Sequence, residues 1–274
     1  MSEIIFIDAS GGTGKTFLLN TILAKVRSTG NIAVAVASSG IAATLLPGGR
    51  TAHSRFKIPL TVKDNDVCNF EKNSNTAELF RNTNIIVWDE CPMMRRESLE
   101  AVNRTLQDVC NSDTPFGGIL TICCGDFRQL LPVIKKVSDA DVENACIKNS
   151  YLWPRFRKFQ LTQNMRLDED SQNYARFLID VGEDKLLKNN EGEIELPEEI
   201  VLQQENIDEC LQLVYPSFEN PAEIFSKKCI LVPLNESVRN INSKCINRFP
   251  GNLREYYSFN SVTDGTNAWL PIFQ

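Results

Sequence analysis

The sequence predicts an α/β protein in which helices flank a parallel sheet. Short apolar strands alternate with helical segments along the first part of the chain, which is the pattern of strands joined by crossover helices. The second predicted strand, 32–37, consists only of Ile, Ala and Val, as expected for a strand that is buried on both faces. These two observations indicate one extended parallel sheet.

The boundaries of each element follow from apolar spacing and turn residues. The chain opens with a strand at 4–8, and a helix is predicted over 15–28 after a glycine turn. Pro47 and the two glycines after it end a short helix at 40–46. Apolar residues at helical spacing predict an amphipathic helix over 97–109. Further strands are predicted at 85–88, 119–124, 158–161 and 229–232, and further helices at 173–181 and 235–246, the last with Asn235 as its N-cap.

A change in composition after Arg166 indicates a second domain. Residues 182–199 are charged, contain glycine and lack apolar periodicity, so they are predicted to form a linker or an exposed insertion. One strand and two helices are too few elements for a second complete α/β domain. We therefore predict a first domain over 1–165 and an incomplete second domain over 166–274.

The composition argues against several classes of protein. The 274 residues are 42% hydrophobic, which is enough for a sizeable core, and no apolar run has the length of a membrane span. Nine cysteines without a C-x₂-C spacing, together with a single His, argue against a zinc site and indicate reduced thiols inside a cell. The net charge of −6 gives no general basic field for nucleic acid. A basic groove can nevertheless lie on an acidic protein.

The turn after the first strand matches a phosphate-binding loop, or P-loop. Residues 9–16, Ala-Ser-Gly-Gly-Thr-Gly-Lys-Thr, fit the Walker A pattern and lie between a strand and a helix. Glycines there allow successive backbone N–H groups to surround a phosphate at the helix N-terminus. Lys15 would reach the β- and γ-phosphates of ATP, and the Thr16 hydroxyl would bind Mg²⁺. The predicted nucleotide-binding residues are Gly11, Gly12, Thr13, Gly14, Lys15 and Thr16.

An acidic pair, Asp89 and Glu90, follows the strand predicted at 85–88. The carboxyl edge of a parallel sheet is where ligands bind, so Asp89 would hold Mg²⁺ directly or through water. Glu90 would act on the attacking water as a general base. Such a pair alone is more often a solvated strand end, but a P-loop on an earlier strand favours the functional interpretation. The sequence therefore predicts a P-loop NTPase with ATP and Mg²⁺ as ligands.

Three further segments resemble one helicase family. They are 37–43, ASSGIAA; 49–54, GRTAHS; and 125–133, GDFRQLLPV. With the P-loop and the acidic pair, they resemble the petite-integration-frequency DNA helicases, above all the helicase region of Helitron transposons. The resemblance extends over most of residues 4–250. It implies a RecA-like motor domain, followed by an incomplete second RecA-like domain, with the activity of an ATP-dependent 5′-to-3′ DNA helicase.

The resemblance also assigns roles outside the P-loop. It implies that Gln129 senses the γ-phosphate and that Arg166, in the segment LTQNMR, brings positive charge to it. Simpler alternatives stay open, because Gln129 is otherwise an ordinary loop residue, His53 a structural histidine and Arg166 an exposed arginine. The residues that match the DNA-contacting blocks of the family are Ser39, Gly40, Thr51 and His53.

The resemblance sets expectations for the whole protein as well. Its partners would be single-stranded DNA and duplex junctions, and it would act as a nuclear monomer in DNA recombination, repair and telomere maintenance. The family's segment upstream of the P-loop and its later motifs are missing from the sequence, so we expect the chain to be truncated at both ends. ATP binding with weak hydrolysis and little or no unwinding is the expected behaviour of this chain alone.

Two alternatives to a helicase remain open. A non-catalytic, truncated fragment derived from a transposon would share every motif up to Arg166, and would bind nucleotide or single-stranded DNA without processive work. Another P-loop enzyme, such as a nucleotide kinase or a clamp-loader-type ATPase, would share the P-loop and the acidic pair. The segment 125–133 favours the helicase over these enzymes, because neither of them accounts for it.

Overall fold

Six parallel strands form one sheet in the first part of the chain. The protein is described by a computed structural model that covers residues 3–134, 138–167, 172–202, 206–218, 224, 226–252 and 254. The strands are β1 Ile4–Ala9, β2 Ile32–Ala37, β3 Arg50–Thr51, β4 Thr83–Asp89, β5 Leu120–Gly125 and β6 Arg157–Leu161. Their order across the sheet is β3-β2-β4-β5-β1-β6, and all neighbours are parallel. The predicted α/β fold class is confirmed.

Helices connect the strands and continue after the last one. They are α1 Lys15–Ser28, α2 Gly40–Thr44, α3 Ala52–Phe56, α4 Asn75–Arg81, α5 Arg96–Cys110, α6 Asp139–Ala145, α7 Gln172–Gly182, α8 Ile207–Val214 and α9 Asn235–Arg248. The helices predicted at 15–28, 40–46, 97–109 and 173–181 are confirmed, with ends that differ by no more than two residues.

Two apolar clusters cover the two faces of the sheet. Successive strand residues alternate between them, so that Val87 faces one cluster and Trp88 faces the other. Helix α1 packs on the Val87 face through Leu19, and α5 packs on the Trp88 face through Leu106. The helices therefore flank the sheet on both sides, which leaves its carboxyl edge as the place for a ligand. All nine cysteines are free thiols.

The chain divides into two units, Met1–Leu187 and Lys188–Gln274. The division falls inside the segment 182–199, so α7 belongs to the first unit, whereas the sequence analysis assigns it to the second domain. Within the second unit, the carboxylate of Asp208 in α8 accepts hydrogen bonds from Lys244 and Arg248 of α9, at 2.7 and 2.9 Å. Tyr215 and Cys245 belong to a small apolar cluster of this unit.

Two predictions for the second unit are wrong. Residues 229–232 form no strand, and Leu231 is 89% exposed. An apolar run becomes a strand only where a neighbour completes its hydrogen bonds, and the described part of this unit contains only an isolated bridge between Lys188 and Ile194. Asn235 is the first residue of α9 rather than its N-cap, a position that Leu234 occupies without a side-chain hydrogen bond. Among the described residues, no helix has the length and apolar character of a membrane span.

Candidate functional site

The predicted site residues come together at the carboxyl edge of the sheet. The P-loop follows β1, the acidic pair ends β4, and the segment 125–133 follows β5, which lies between those two strands. Strands β2 and β3 end at the same edge, where Ala37 pairs with both Thr51 and Asp89. Because parallel strands share one carboxyl edge, segments that are far apart in the sequence become neighbours there.

The P-loop forms an open cradle of backbone groups ahead of α1. Gly12 and Gly14 both have a φ of +82°, in the left-handed region that favours glycine. A Cβ added to Gly14 would meet no atom within 4 Å. The Thr13 hydroxyl donates a hydrogen bond of 2.7 Å to the Ser10 carbonyl and fixes the turn. Since Gly14 is also the N-cap of α1, the helix directs its positive end into this cradle, which fits a phosphate.

Lys15 lies between the two carboxylates of the acidic pair. Its Nζ is 3.2 Å from Asp89 Oδ1, and it also forms a close ion pair with Glu90 Oε1. Burial is the largest single influence on the pKa of the Lys15 ammonium and lowers it, but Asp89 and Glu90 together outweigh burial, so the pKa is raised above its ordinary value. Lys15 is therefore charged, and both carboxylates stabilise that charge.

The acidic pair is fixed by the end of β4. The Asp89 side chain is only 2% exposed, and its Oδ1 accepts a hydrogen bond from the Glu90 backbone N–H at 2.9 Å. Glu90 has a φ of +52°, a left-handed conformation that costs a non-glycine residue on the order of 1–3 kcal/mol. Below the pair, the Trp88 indole N–H donates to the Ser38 hydroxyl at 3.2 Å. Strain of this kind persists where the surrounding structure holds it, as this packed strand end does.

The oxygen groups of Asp89 and Thr16 fit the predicted magnesium site. Thr16 is the second residue of α1, next to Lys15, and is partly exposed. Carboxylate and hydroxyl oxygens, together with phosphate oxygens, are the ligands that Mg²⁺ prefers. Within the described residues, no group of three or more His, Cys, Asp or Glu side chains could hold a metal ion alone. This donor set therefore suits an ion that is shared with a bound nucleotide.

The segment after β5 brings Gln129 to the same edge. Its side-chain Nε2 donates to Asp126 Oδ2 at 3.4 Å, and its backbone N–H donates to the Asp126 carbonyl at 3.2 Å. Asp126 is 5% exposed, whereas Gln129 is exposed. Between them, Arg128 Nη1 donates to Asp126 Oδ1 at 3.2 Å. A buried carboxylate thus holds an exposed amide at this edge of the sheet.

The segment after β6 contacts the P-loop directly. The Met165 backbone N–H donates to the Gly12 carbonyl at 2.8 Å, and the Asn164 side chain donates to the Gly11 carbonyl at 3.3 Å. A Cβ on Gly12 would lie 2.8 Å from Asn164 Oδ1 and would displace the Asn164 side chain, and the φ of +82° also disfavours any side chain at this position. The backbone N–H of Arg166 donates to Asn164 Oδ1 at 2.9 Å. Its guanidinium is exposed and makes no hydrogen bond with the residues that the structure describes.

The predicted DNA-contacting residues lie at the starts of two short helices after β2 and β3. The Ser39 hydroxyl caps α2, whose first residue is Gly40, by accepting a backbone N–H at 3.2 Å. Thr51 caps α3 in the same way at 3.3 Å. His53 in α3 is partly buried, and this burial lowers its pKa. Both hydroxyls therefore have a structural role as helix caps, and contact with DNA stays a prediction for all four residues.

Comparison with known proteins identifies the family of this chain. The family model of the PIF1-like helicases matches residues 1–198. The chain belongs to the PIF1-like helicase family. The ATP-dependent DNA helicase Pif1 of Psychrobacter is 29% identical over 178 residues, which are 64% of this chain and 27% of the relative. The human ATP-dependent DNA helicase PIF1 is 36% identical over 134 residues, which are 48% of this chain and 20% of the relative.

Solved structures of the PIF1-like family share the fold. The crystal structure of Bacteroides Pif1 bound to ssDNA is 28% identical, with a TM-score of 0.58, over 68% of this chain and 44% of that one. A Bacteroides Pif1 structure in complex with ADP-AlF3 and ssDNA covers 92% of this chain and 54% of that one, with a TM-score of 0.67 and 24% identity. The chain therefore spans about half or less of the length of these relatives.

Three residues of this PIF1-like site are absent from the predicted set. Asp126 comes directly after the buried strand β5, and Asp89 ends the buried strand β4, so the same strand-end pattern could have identified Asp126. Asn164 lies in the segment LTQNMR, but its contact with the P-loop joins residues 153 positions apart. Arg128 is bonded to Glu183, 55 positions away. Contacts over such distances leave no local pattern in a single sequence.

Proposed function

We propose that this chain binds ATP and Mg²⁺ at its P-loop and forms the motor part of an ATP-dependent DNA helicase, whose ATP hydrolysis is stimulated by DNA. The observation that carries the proposal is the position of Lys15 between Asp89 and Glu90, ahead of the P-loop cradle. Membership of the PIF1-like family supports it, because the relatives in that family are named ATP-dependent DNA helicases.

The side chains of the site have distinct roles in this proposal. Lys15 leaves the carboxylates for the β- and γ-phosphates, since phosphate oxygens compete for the same ammonium. Glu90 is then free to orient the attacking water and accept its proton. Thr16 and Asp89 would hold Mg²⁺, which neutralises developing charge on the phosphates.

Two residues outside the P-loop respond to the γ-phosphate in this proposal. Gln129 reports its presence to the loops that face DNA, and Arg166 stabilises the charge that develops on it, as an arginine finger does. The exposed guanidinium of Arg166 and the nearby contact between Met165 and Gly12 support this role.

Single-stranded DNA is the proposed partner. Ser39, Gly40, Thr51 and His53 would follow its backbone, because small residues and hydroxyl groups allow close approach to phosphates with little sequence readout. Support comes from Bacteroides Pif1, which is bound to ssDNA in its crystal structure. The proposal extends to duplex junctions as a further partner and to 5′-to-3′ movement by a monomer. It also includes nuclear location and roles in recombination, repair and telomere maintenance. A further part of the proposal is the division into a motor domain over 1–165 and a partial second RecA-like domain over 166–274.

Thermodynamic linkage between nucleotide and DNA tests the proposal. The affinity of the chain for a labelled single-stranded oligonucleotide should differ by about fivefold or more with and without a non-hydrolysable ATP analogue and Mg²⁺. Lys15→Ala should keep DNA binding and lose the nucleotide effect. Binding of both ligands without any coupling would contradict a motor and favour a non-catalytic fragment.

A further inference from the structure

Arg128 joins the segment after β5 to the end of α7. Its Nε and Nη2 both donate to Glu183 Oε1, at 2.9 and 2.7 Å. The hydrogen bonds that Arg128 donates to Glu183 raise the pKa of the Arg128 guanidinium above its ordinary value. Gly182, the last residue of α7, lies against the same side chain, because a Cβ there would be 3.1 Å from Arg128 Cβ. The residue next to Gln129 therefore anchors the C-terminal end of this helix.

A second carboxylate, that of Asp8, forms a longer ion pair with Arg128 but no hydrogen bond. Asp8 Oδ1 is 3.9 Å from Arg128 Nη1, beyond hydrogen-bond distance. This oxygen is buried, and it has no hydrogen-bond partner among the described residues. A buried unsatisfied carboxylate oxygen is unfavourable, so Asp8 is an acceptor that a shift of about 1 Å in Arg128 would satisfy. Asp8 directly precedes Ala9, the first residue of the P-loop.

We infer that Arg128 is a positioning residue that exchanges carboxylate partners, binding Glu183 in the nucleotide-free chain and Asp8 when nucleotide occupies the P-loop. The exchange frees the C-terminal end of α7, from which the chain leaves the first unit at Leu187. This inference deepens the proposed function and rests on nucleotide binding at the P-loop. It supplies a route from the nucleotide site to the rest of the chain.

The backbone around Arg128 supports such an exchange. On one side, Phe127 is anchored in the core, with its ring centroid 5.2 Å from that of Phe6 and 5.4 Å from that of Trp153. On the other side, Gln129 is exposed at the edge that faces the P-loop. Movement of Gln129 toward a γ-phosphate would therefore turn the chain about Phe127 and shift Arg128. The guanidinium has enough donors to serve either carboxylate while it keeps its bond to Asp126.

A double-mutant cycle between Asp8 and Glu183 tests the partner exchange without nucleotide. Asp8→Asn alone should change the unfolding equilibrium constant of the first unit by less than about twofold, since Asp8 Oδ1 accepts no hydrogen bond and its ion pair with Arg128 is long, at 3.9 Å. In the Glu183→Gln background, Arg128 should bind Asp8 instead. Asp8→Asn should then raise the unfolding equilibrium constant by about threefold or more. Chemical denaturation measures all four proteins. If the effects of the two single substitutions on the unfolding equilibrium constant account for that of the double substitution within about twofold, the exchange is overturned.

Hydrogen exchange of the α7 amides tests the link to nucleotide. Glu183→Gln should reduce their protection by about three- to tenfold without nucleotide. A non-hydrolysable ATP analogue with Mg²⁺ should do the same in the unsubstituted chain but not in Asp8→Asn. Glu3→Gln is the matched control, because it removes another surface ion pair of the first unit, 3.5 Å from Arg157. Equal effects of Glu3→Gln and Glu183→Gln would overturn the inference.

The two experiments distinguish failure of this inference from failure of the proposed function. If a direct binding titration shows that the analogue binds the unsubstituted chain no more tightly than Lys15→Ala, the proposed function is wrong and nucleotide cannot trigger the exchange. If the analogue binds and α7 does not respond, the inference is wrong while the proposed function stands. A response in both the unsubstituted chain and Asp8→Asn overturns the role of Asp8.

Discussion

Asp89 and Glu90 hold Lys15 through ion pairs. A nucleotide that binds Lys15 through its phosphates must break these ion pairs. Because Asp89 is buried and Glu90 has a left-handed conformation, we expect the lysine, rather than the carboxylates, to move when nucleotide binds. The sequence predicted this grouping, since a P-loop and a strand-end acidic pair meet at the carboxyl edge of any parallel sheet. It did not predict Asn164 or Arg128, whose contacts depend on where distant segments fold.

Glu90→Gln separates binding from hydrolysis. The substitution keeps the size of the side chain but removes the base, so the turnover number for ATP should fall by about 10²- to 10⁴-fold. Nucleotide affinity should stay the same or rise, because Lys15 loses one of its competing carboxylates. Turnover and analogue binding are measured together, with Glu78→Gln on the exposed face of α4 as a control. Unchanged turnover in Glu90→Gln would exclude it as the base.

The pKa of His53 offers a test of the proposed contact with DNA. Burial lowers the pKa of this imidazole below its ordinary value of 6.5, so the neutral form is favoured in the folded chain. Its contribution to stability is present above pH 6.5 and is lost as the pH falls through the lowered pKa. Since this is the only histidine in the chain, its NMR resonances can be followed without assignment.

Single-stranded DNA should raise the pKa of His53 by about half a unit or more, because nearby phosphates favour the charged imidazolium. The measurement is a pH titration of the imidazole resonances with and without a saturating oligonucleotide. An oligonucleotide that binds and leaves the pKa unchanged would remove His53 from the DNA interface.

At the scale of elements, sequence reasoning succeeded where burial repeats along the chain. Strand β2 and helix α1 were predicted to the residue, because one is buried on both faces and the other follows a glycine turn. Strand β3 and helix α3 have two and five residues and were missed, since neither is long enough for a period to be visible. The strand at 229–232 was predicted but does not form, because a short apolar run cannot reveal whether a neighbouring strand exists.

Gly125→Ala tests how closely the elements of the site pack. A Cβ on Gly125, at the end of β5, would lie 2.3 Å from Cδ of Pro92 in the turn after the acidic pair. Neither the strand nor the proline ring can yield easily, so the free energy of unfolding should fall by about 1–3 kcal/mol. Chemical denaturation without nucleotide measures the loss. Gly11→Ala is the control, because its Cβ would meet nothing within 4 Å, and an equal loss there would contradict the packing argument.

At the scale of the whole molecule, the strand order accounts for the site. Placing β5 between β4 and β1 puts the segment 125–133 between the acidic pair and the P-loop, as the proposed response of Gln129 to nucleotide requires. This arrangement could not be predicted from the order of the motifs along the chain, because it depends on the crossovers between strands. The chain spans 27% of the Psychrobacter relative and 20% of the human one, so coupling between nucleotide and DNA has to be measured on this chain itself.

The most direct test of the account is ATP hydrolysis by the purified chain, with and without single-stranded DNA, beside Lys15→Ala. We expect weak, Mg²⁺-dependent turnover that DNA stimulates and that Lys15→Ala abolishes, because Lys15 is the group proposed to bind the β- and γ-phosphates. Turnover that survives Lys15→Ala would place hydrolysis outside the P-loop. Absence of both turnover and nucleotide binding in the unsubstituted chain would contradict the central claim that Lys15, Asp89 and Glu90 form an ATP site.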